Sequence, residues 1–331
     1  MPGIQDFTYF NIGKETTRGT PVAPTRQLYL EGTGILEPTL ALNFHEGENA
    51  GRRSEVRRVT SQSEDVRVRA RSVNGFPFDS YVFPLSQLKG GMTGVGGAAD
   101  KTWTGAPSMT AANNPESYSA DVGDDTQNYR LQYMMLTRFR QTAGLGDLTQ
   151  LEFEGFAQRS VKVAKAAPAL NNAVVIPGDL WTWKFAATFA GLPGAGVQPN
   201  LVIDHELEVF TGLVWEHYQD GNMFGSQHVE TAIGGTLKLT VASTAFAITE
   251  FHDKWAAQTL DYVRAKATSP VVLGGSFYSL QYDMPVFWGD PKIISRERSG
   301  INLYEVTGTL ADDGTNPPIS PTLVCSLAAL P

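Results

Sequence analysis

Five histidines, His45, His205, His217, His228 and His252, are the side chains of this sequence best suited to acid–base or metal chemistry. None stands in an HExxH pair, and no two are spaced to hold zinc from one helix face. His205 lies between Asp204 and Glu206 on the apolar side of an alternating segment, which reads as a satisfied core or interface histidine. The run "WEHYQD" (215–220) has catalytic residue types, but no nucleophile accompanies it, and it reads as a solvated loop or strand end. Gly94, Gly96 and Ala99 match the spacing of a dinucleotide-binding turn, yet the following "DKTWTGAP" opens no helix to meet a pyrophosphate. The pairs Asp124/Asp125 and Asp312/Asp313 sit in turn-like runs, where a carboxylate bonds its own backbone more readily than it holds calcium. Cys325 lies in the apolar "PTLVCSLAAL" without a basic neighbour, so it reads as a buried or interface thiol. No serine-hydrolase elbow and no phosphate loop occurs. The expectation is a non-enzyme with no catalytic, cofactor or metal site.

Composition agrees with a packed, turn-rich protein. Of 331 residues, 42% are apolar and 18% charged, with 33 glycines and 19 prolines. The net charge of −8 disfavours stable binding to nucleic acid, which asks for a basic excess. One cysteine allows no intrachain disulfide, which points to folding in a reducing compartment. "MPGIQDFTYF" does not read as a secretory signal, and no apolar run is long enough to span a bilayer.

The elements that must position these residues are mostly strands. Segment 65–73 alternates Val66, Val68 and Ala70 with Arg67, Arg69 and Arg71. Segment 150–156 sets Leu151 and Phe153 against Glu152 and Glu154, and 201–210 sets Ile203, Leu207 and Val209 against Asp204, Glu206 and Glu208. Further strands are expected at 128–142, 235–244, 276–288 and 302–310, with a hairpin turn at 141–150. Helical spacing of Phe251, Trp255, Leu260 and Val263 predicts a helix over 248–267, with Thr249 as its N-cap and Arg264 and Lys266 in its last turn. A second helix is expected near 78–89, interrupted by Pro84. Glycine-rich 89–115 reads as a long loop, and 166–180 as a linker between halves of similar outline. The halves are either an internal duplication or one β-rich domain with two unrelated helices.

The polar opening "GKETTRGTPVAPTR" (13–26) cannot pack a core alone. Within "IGKETTRGTPVAPTRQLYL" (12–30), Glu15, Thr16, Gly19, Thr20, Pro21, Pro24 and Thr25 resemble the N-terminal signature of a family of long-tailed bacteriophage tail tube proteins. "NAGRRSEVRRV" (49–59) is similar to the family's Gly-Arg turn before its polar strands. The motif resemblance covers about the first 75 residues. It implies an all-β dominated fold with minor α: a β-sandwich with a flanking helix, possibly duplicated, whose sheets join between subunits into an inner β-barrel. Residues 1–30 would be an arm lying on a neighbouring subunit, 31–165 and 181–315 the two sandwich halves, and 316–331 a last strand or second docking arm. The 89–115 loop would reach the next ring or stay mobile outside.

The resemblance implies a structural virion protein, made in the host bacterial cytoplasm, whose stacked rings form a tube for genomic DNA. Implied partners are further copies of itself and tape-measure, tail-tip and tail-terminator proteins, with DNA passing unbound and no membrane. A sandwich takes roughly 120–170 residues, so three chains would complete a pseudo-sixfold ring if the halves are duplicates, and six otherwise. The acidic ladders Asp204, Glu206, Glu208, Glu152 and Glu154 are expected either to line the lumen, where they would repel phosphates, or to form the solvated outer face. The basic ladder Arg67, Arg69 and Arg71 is then expected at an interface. Alternatives are another β-rich tail or baseplate protein, or a carbohydrate-binding sandwich that stacks sugars on Trp181, Trp183 and Trp215.

Overall fold

The computed structural model describes residues 9–28, 30, 37–38, 41–42, 61–62, 66–72, 74–97, 100–105, 107–108, 113, 115–123, 128–171, 174–216, 227–298 and 301–331. The fold is β-dominated with few helices, as expected. One long strand, Asn128–Gly144, belongs to both of the main sheets. Its first part pairs with Tyr118–Gly123 and Arg159–Lys162. On the far side of Tyr118–Gly123 lie Tyr9–Lys14 and then Arg26–Leu28, which completes the smaller sheet apart from a short parallel pairing with Ala169–Leu170.

The second part of the long strand lies between Gln150–Ala157 and Val202–Phe210 in a much larger sheet. Beyond Gln150–Ala157 comes Val66–Arg71. In the other direction the order runs Gly234–Ala242, Ile301–Leu310, Ser276–Trp288, Asp261–Leu273 and Trp181–Ala186. Ser320–Cys325 pairs with Ser276–Trp288 and carries the hairpin of Lys101–Thr104 and Thr93–Gly96. The larger sheet curls until Trp181 and Trp183 meet the His205 ring, with centroids 4.9 and 5.1 Å away. Among the described residues the pairwise ladders form a branched network without a closing pair.

The sheets face each other across aromatic rings. Phe10 from the smaller sheet and Phe153 from the larger are 5.5 Å apart, edge to face. Phe83 touches both Phe153 and Tyr118, because the short helical segment 78–86 is wholly buried between the sheets. Pro84 falls in the first turn of the α-helical part, Val82–Ser86, which follows the 3-10 turn Phe78–Tyr81. This helix is therefore part of the core rather than a flank.

The expected helix over 248–267 is corrected. Helical backbone runs from Ala245 to Ala256, including a π-helical stretch Ile248–Asp253, and the N-cap is Thr244, whose hydroxyl accepts from the Ala247 amide. Gln258 then takes φ 51°, which ends the helix, and Asp261–Leu273 is a strand. Val263, Ala265 and Ala267 point inward while Tyr262, Arg264 and Lys266 are half-buried on the other face. Period-two alternation fits this stretch better than the helical one once Ser276–Trp288 is available to pair with it.

Two further expectations change. Residues 9–28 do not leave the domain: Tyr9–Lys14 is a nearly buried strand between two neighbours of its own chain. Segment 166–180 does not separate two cores, since one cluster of buried residues includes Phe10, Phe153, Trp183, Leu239, Met284 and Leu323. The 128–144 strand, from the first half, pairs directly with 202–210 from the second. No helix among the described residues is long and apolar enough to cross a membrane.

His205 shows what this burial does to chemistry. Gln141 Nε2 donates to His205 Nε2 at 3.0 Å, and the Tyr282 hydroxyl donates to Gln141 Oε1 at 3.1 Å. Burial pushes the His205 pKa down to about 3. The unfolded chain binds this proton below about pH 6.5 and the folded chain does not, so acid favours unfolding. Stability should fall between pH 6.5 and 3 by up to about 1.4 kcal/mol per pH unit from this group. Urea titrations across that range should show the extra slope in the wild type and its loss in His205→Gln.

Candidate functional site: a charged sheet face and its anchored loop

The outward face of the larger sheet gathers most of the charged residues singled out in the sequence. Alternation sends Val68, Ala70, Leu151, Phe153, Phe139, Leu207 and Val209 into the core. It sends Arg69, Glu152, Glu154, Arg138, Arg140, Glu206 and Glu208 to the other side. Strand register then interleaves the signs. Arg71, Glu152, Arg140 and Glu208 lie in one cross-strand row, and Arg69, Glu154 and Arg138 in the next.

The rows are knitted by ion pairs. Arg69 lies 2.8 Å from Glu152 and 3.1 Å from Glu154. Arg138 bridges Glu154 at 2.7 Å and Glu208 at 2.6 Å. Arg140 meets Glu206 at 2.7 Å, and Lys238 meets Glu305 at 2.9 Å. The hydrogen bond to Glu206 raises the Arg140 pKa. Burial pulls Arg138 down, but Glu154 and Glu208 outweigh it and the net shift is upward. These pairs are partly exposed, so each contributes at most about 1 kcal/mol and their value lies in fixing register.

This corrects the expected segregation. Glu152, Glu154, Glu206 and Glu208 are not like-charge ladders apart from a basic interface: Arg69 and Arg71 share their face. Each acidic strand sits beside an arginine strand, and opposite charges directly across from one another are favourable. Asp204 is exposed beside Gly144, opposite Thr240. Arg67 is in register with Phe156 and Glu37, and its side chain lies outside the described ones. Sequence reasoning passed over Arg138, Arg140, Lys238 and Glu305. The signal was present as Arg-x-Arg alternation within 128–142, but only register shows which carboxylates they meet.

The opening motif has a different role from the one expected. Glu15 is buried, and its carboxylate accepts from Ser117 Oγ, Ser119 Oγ, the Gly19 amide and the Tyr133 amide, all at 2.8–2.9 Å. Gly19 has φ 75°, a conformation glycine takes without strain. Thr16, Thr20, Pro21 and Thr25 are exposed and Pro24 is half-buried. The Thr25 amide returns to the Ile12 carbonyl at 2.8 Å, and the Val22 amide to Ser119 Oγ at 3.1 Å. The inter-subunit arm is thus corrected to a loop clamped on its own sheet, because Glu15 supplies an acceptor that buried donors there require.

The other candidates settle as structural. Cys325 is buried, and burial pushes its thiol up to about 12. Gly94 and Gly96 belong to the 93–104 hairpin. Asp312 and Asp313 accept amides of Gly314, Thr315 and Asn316 within their own turn. Trp181 and Trp183 are buried, and Trp215 packs on Tyr133 and Phe156. His45, Asp124, Asp125 and residues 217–220 lie outside the described residues. Among the described residues no group of three or more His, Cys, Asp or Glu side chains could hold a metal ion.

In comparisons with known proteins, no family model and no curated protein matches the chain.

Glu15→Ala would leave the half-buried Gly19 amide and the buried Tyr133 amide without acceptors. The expected loss is roughly 3 kcal/mol or more of folding stability, read as a lower urea midpoint, while an exposed neighbour change such as Thr16→Ala should leave the midpoint nearly unmoved.

Proposed function

We propose that this chain is a structural subunit of a bacteriophage tail tube, which stacks as rings into a hollow conduit for genomic DNA. The observation that carries the reading is the open sheet network. Thr93–Gly96 and Lys292–Arg298 each pair along one edge only among the described residues. An isolated protein that leaves such edges free invites pairing with other chains, and a closed ring of copies removes them. The resemblance of residues 12–30 to tail tube proteins supports the same reading, although in this chain Glu15 holds that motif on its own sheet.

The charged face suits the wall of a wide aqueous channel. Arg69, Arg138 and Arg140 are engaged by carboxylates, so a passing phosphate would have to displace those partners before it could bind. Such a wall neither grips DNA nor needs an unpaired acidic ladder. The carbohydrate-binding alternative loses its stacking platform, because Trp181 and Trp183 are packed on His205 inside the curled sheet. In the tube reading the chain acts with further copies of itself and with tape-measure, tail-tip and terminator proteins in the virion.

Electron microscopy of the concentrated protein should show hollow tubes or stacked rings, and end-on averages would count three or six chains. A folded monomer at every concentration that also fails to polymerise on tail-tip complexes would overturn the proposal.

A further inference from the structure

Asn74–Gly75 is the one Asn-Gly pair in the chain. It stands where the strand Val66–Arg71 leaves its ladder with Gln150–Ala157. The Ser72 amide still donates to the Leu151 carbonyl at 2.8 Å, and the Phe76 amide to the Thr149 carbonyl at 3.0 Å. Four steps of one chain thus stand against two of the other, and Asn74 and Gly75 bulge out between fixed ends. Gly75 takes φ 82°, which glycine adopts without strain, and a Cβ there would lie 3.0 Å from Leu148 Cβ. Asn74 is exposed and lines a cavity of about 690 Å³ beside Asp147 and Asp204.

Asn and Asp side chains in turns commonly bond nearby backbone amides. Here, among the described residues, neither the Asn74 side chain nor the Gly75 amide makes a hydrogen bond. Asp313–Gly314 is the contrast. There Asp313 Oδ1 accepts the Thr315 amide at 2.8 Å, and the Gly314 amide donates to Asp312 Oδ1 at 2.7 Å. Those bonds hold the carboxylate and the following nitrogen to other partners, whereas both reacting groups at Asn74–Gly75 are free.

We infer that Asn74 is a self-modification site, which the folded chain converts to aspartate and isoaspartate. The Gly75 amide nitrogen, deprotonated by hydroxide, attacks Asn74 Cγ and forms a C–N bond. The Cγ–Nδ2 bond breaks, and ammonia leaves with a proton from water. Water then opens the resulting succinimide ring at either carbonyl. The reacting atoms belong to adjacent residues, so the attack is intramolecular. Glycine leaves the nitrogen uncrowded, since it carries no Cβ. Either product adds a negative charge beside Asp147 and Asp204. Isoaspartate also lengthens the main chain by one methylene between the Ser72 and Phe76 hydrogen bonds. The inference is independent of the tube reading.

The test incubates the folded wild type beside a synthetic peptide of residues 70–79 in mildly alkaline buffer. Peptide mapping by mass spectrometry follows the gain of one mass unit at position 74, and chromatography resolves its aspartyl and isoaspartyl forms. A reaction that had to wait for global unfolding would be slowed by about a thousandfold or more. The folded chain should instead convert within about thirtyfold of the peptide rate. Asn74→Gln should lose the mass gain at this position and, because the residue is exposed, keep the wild-type melting temperature. Slower conversion than that in the folded wild type, or conversion of other asparagines ahead of Asn74, would overturn the inference.

Discussion

The fold depends on one backbone corner. The strand Asn128–Gly144 must leave the smaller sheet and enter the larger, and it does so at Tyr133, which holds φ 51°. A bulky residue in the left-handed region is strained, and its amide points away from both ladders. Glu15 meets that amide with a buried carboxylate and ties the corner to Ser119 on the neighbouring strand and to Ser117 just before it. The relative placement of the two sheets, and of the Phe10, Phe83 and Phe153 rings between them, follows from this corner.

From that arrangement the larger sheet acquires a broad face on which basic and acidic strands alternate. Arg69, Arg138, Arg140 and Lys238 are each matched by a carboxylate within the chain, which makes the face polar and wet without a single dominant sign. The unsatisfied features are elsewhere, in single-sided edge strands. Surfaces of that kind are completed by other chains, and copies of the same chain are the simplest source. A tube built this way would separate a passive wall from adhesive edges.

Much of this was legible in the sequence. Strands 276–288 and 150–157 were placed almost to the residue, because alternation there runs unbroken against one apolar face. The buried, neutral His205 and the inert Cys325 also followed from their apolar settings. The end of the 245–256 helix was not legible, since Leu260 and Val263 satisfy both periods and only the pairing with 276–288 decides between them. The motif at 13–26 looks detached because its buried side chain is a charged one, Glu15. A buried glutamate bound by Gly19 of its own loop and by Ser117, Ser119 and Tyr133 far along the chain leaves no hydrophobic trace in the sequence. The charge interleaving was hidden for a related reason: each strand shows its own sign, while its neighbour's sign is a matter of topology.

The central claim is that the open strand edges are where copies join. Hydrogen exchange at Thr93–Gly96 and Lys292–Arg298, compared between dilute monomer and assembled particles, tests it most directly. The account predicts outward-facing amides that exchange freely in the monomer and become at least tenfold slower on assembly. Edge amides that exchange equally fast in assembled particles would contradict it, and would leave the copies held by side-chain contacts alone.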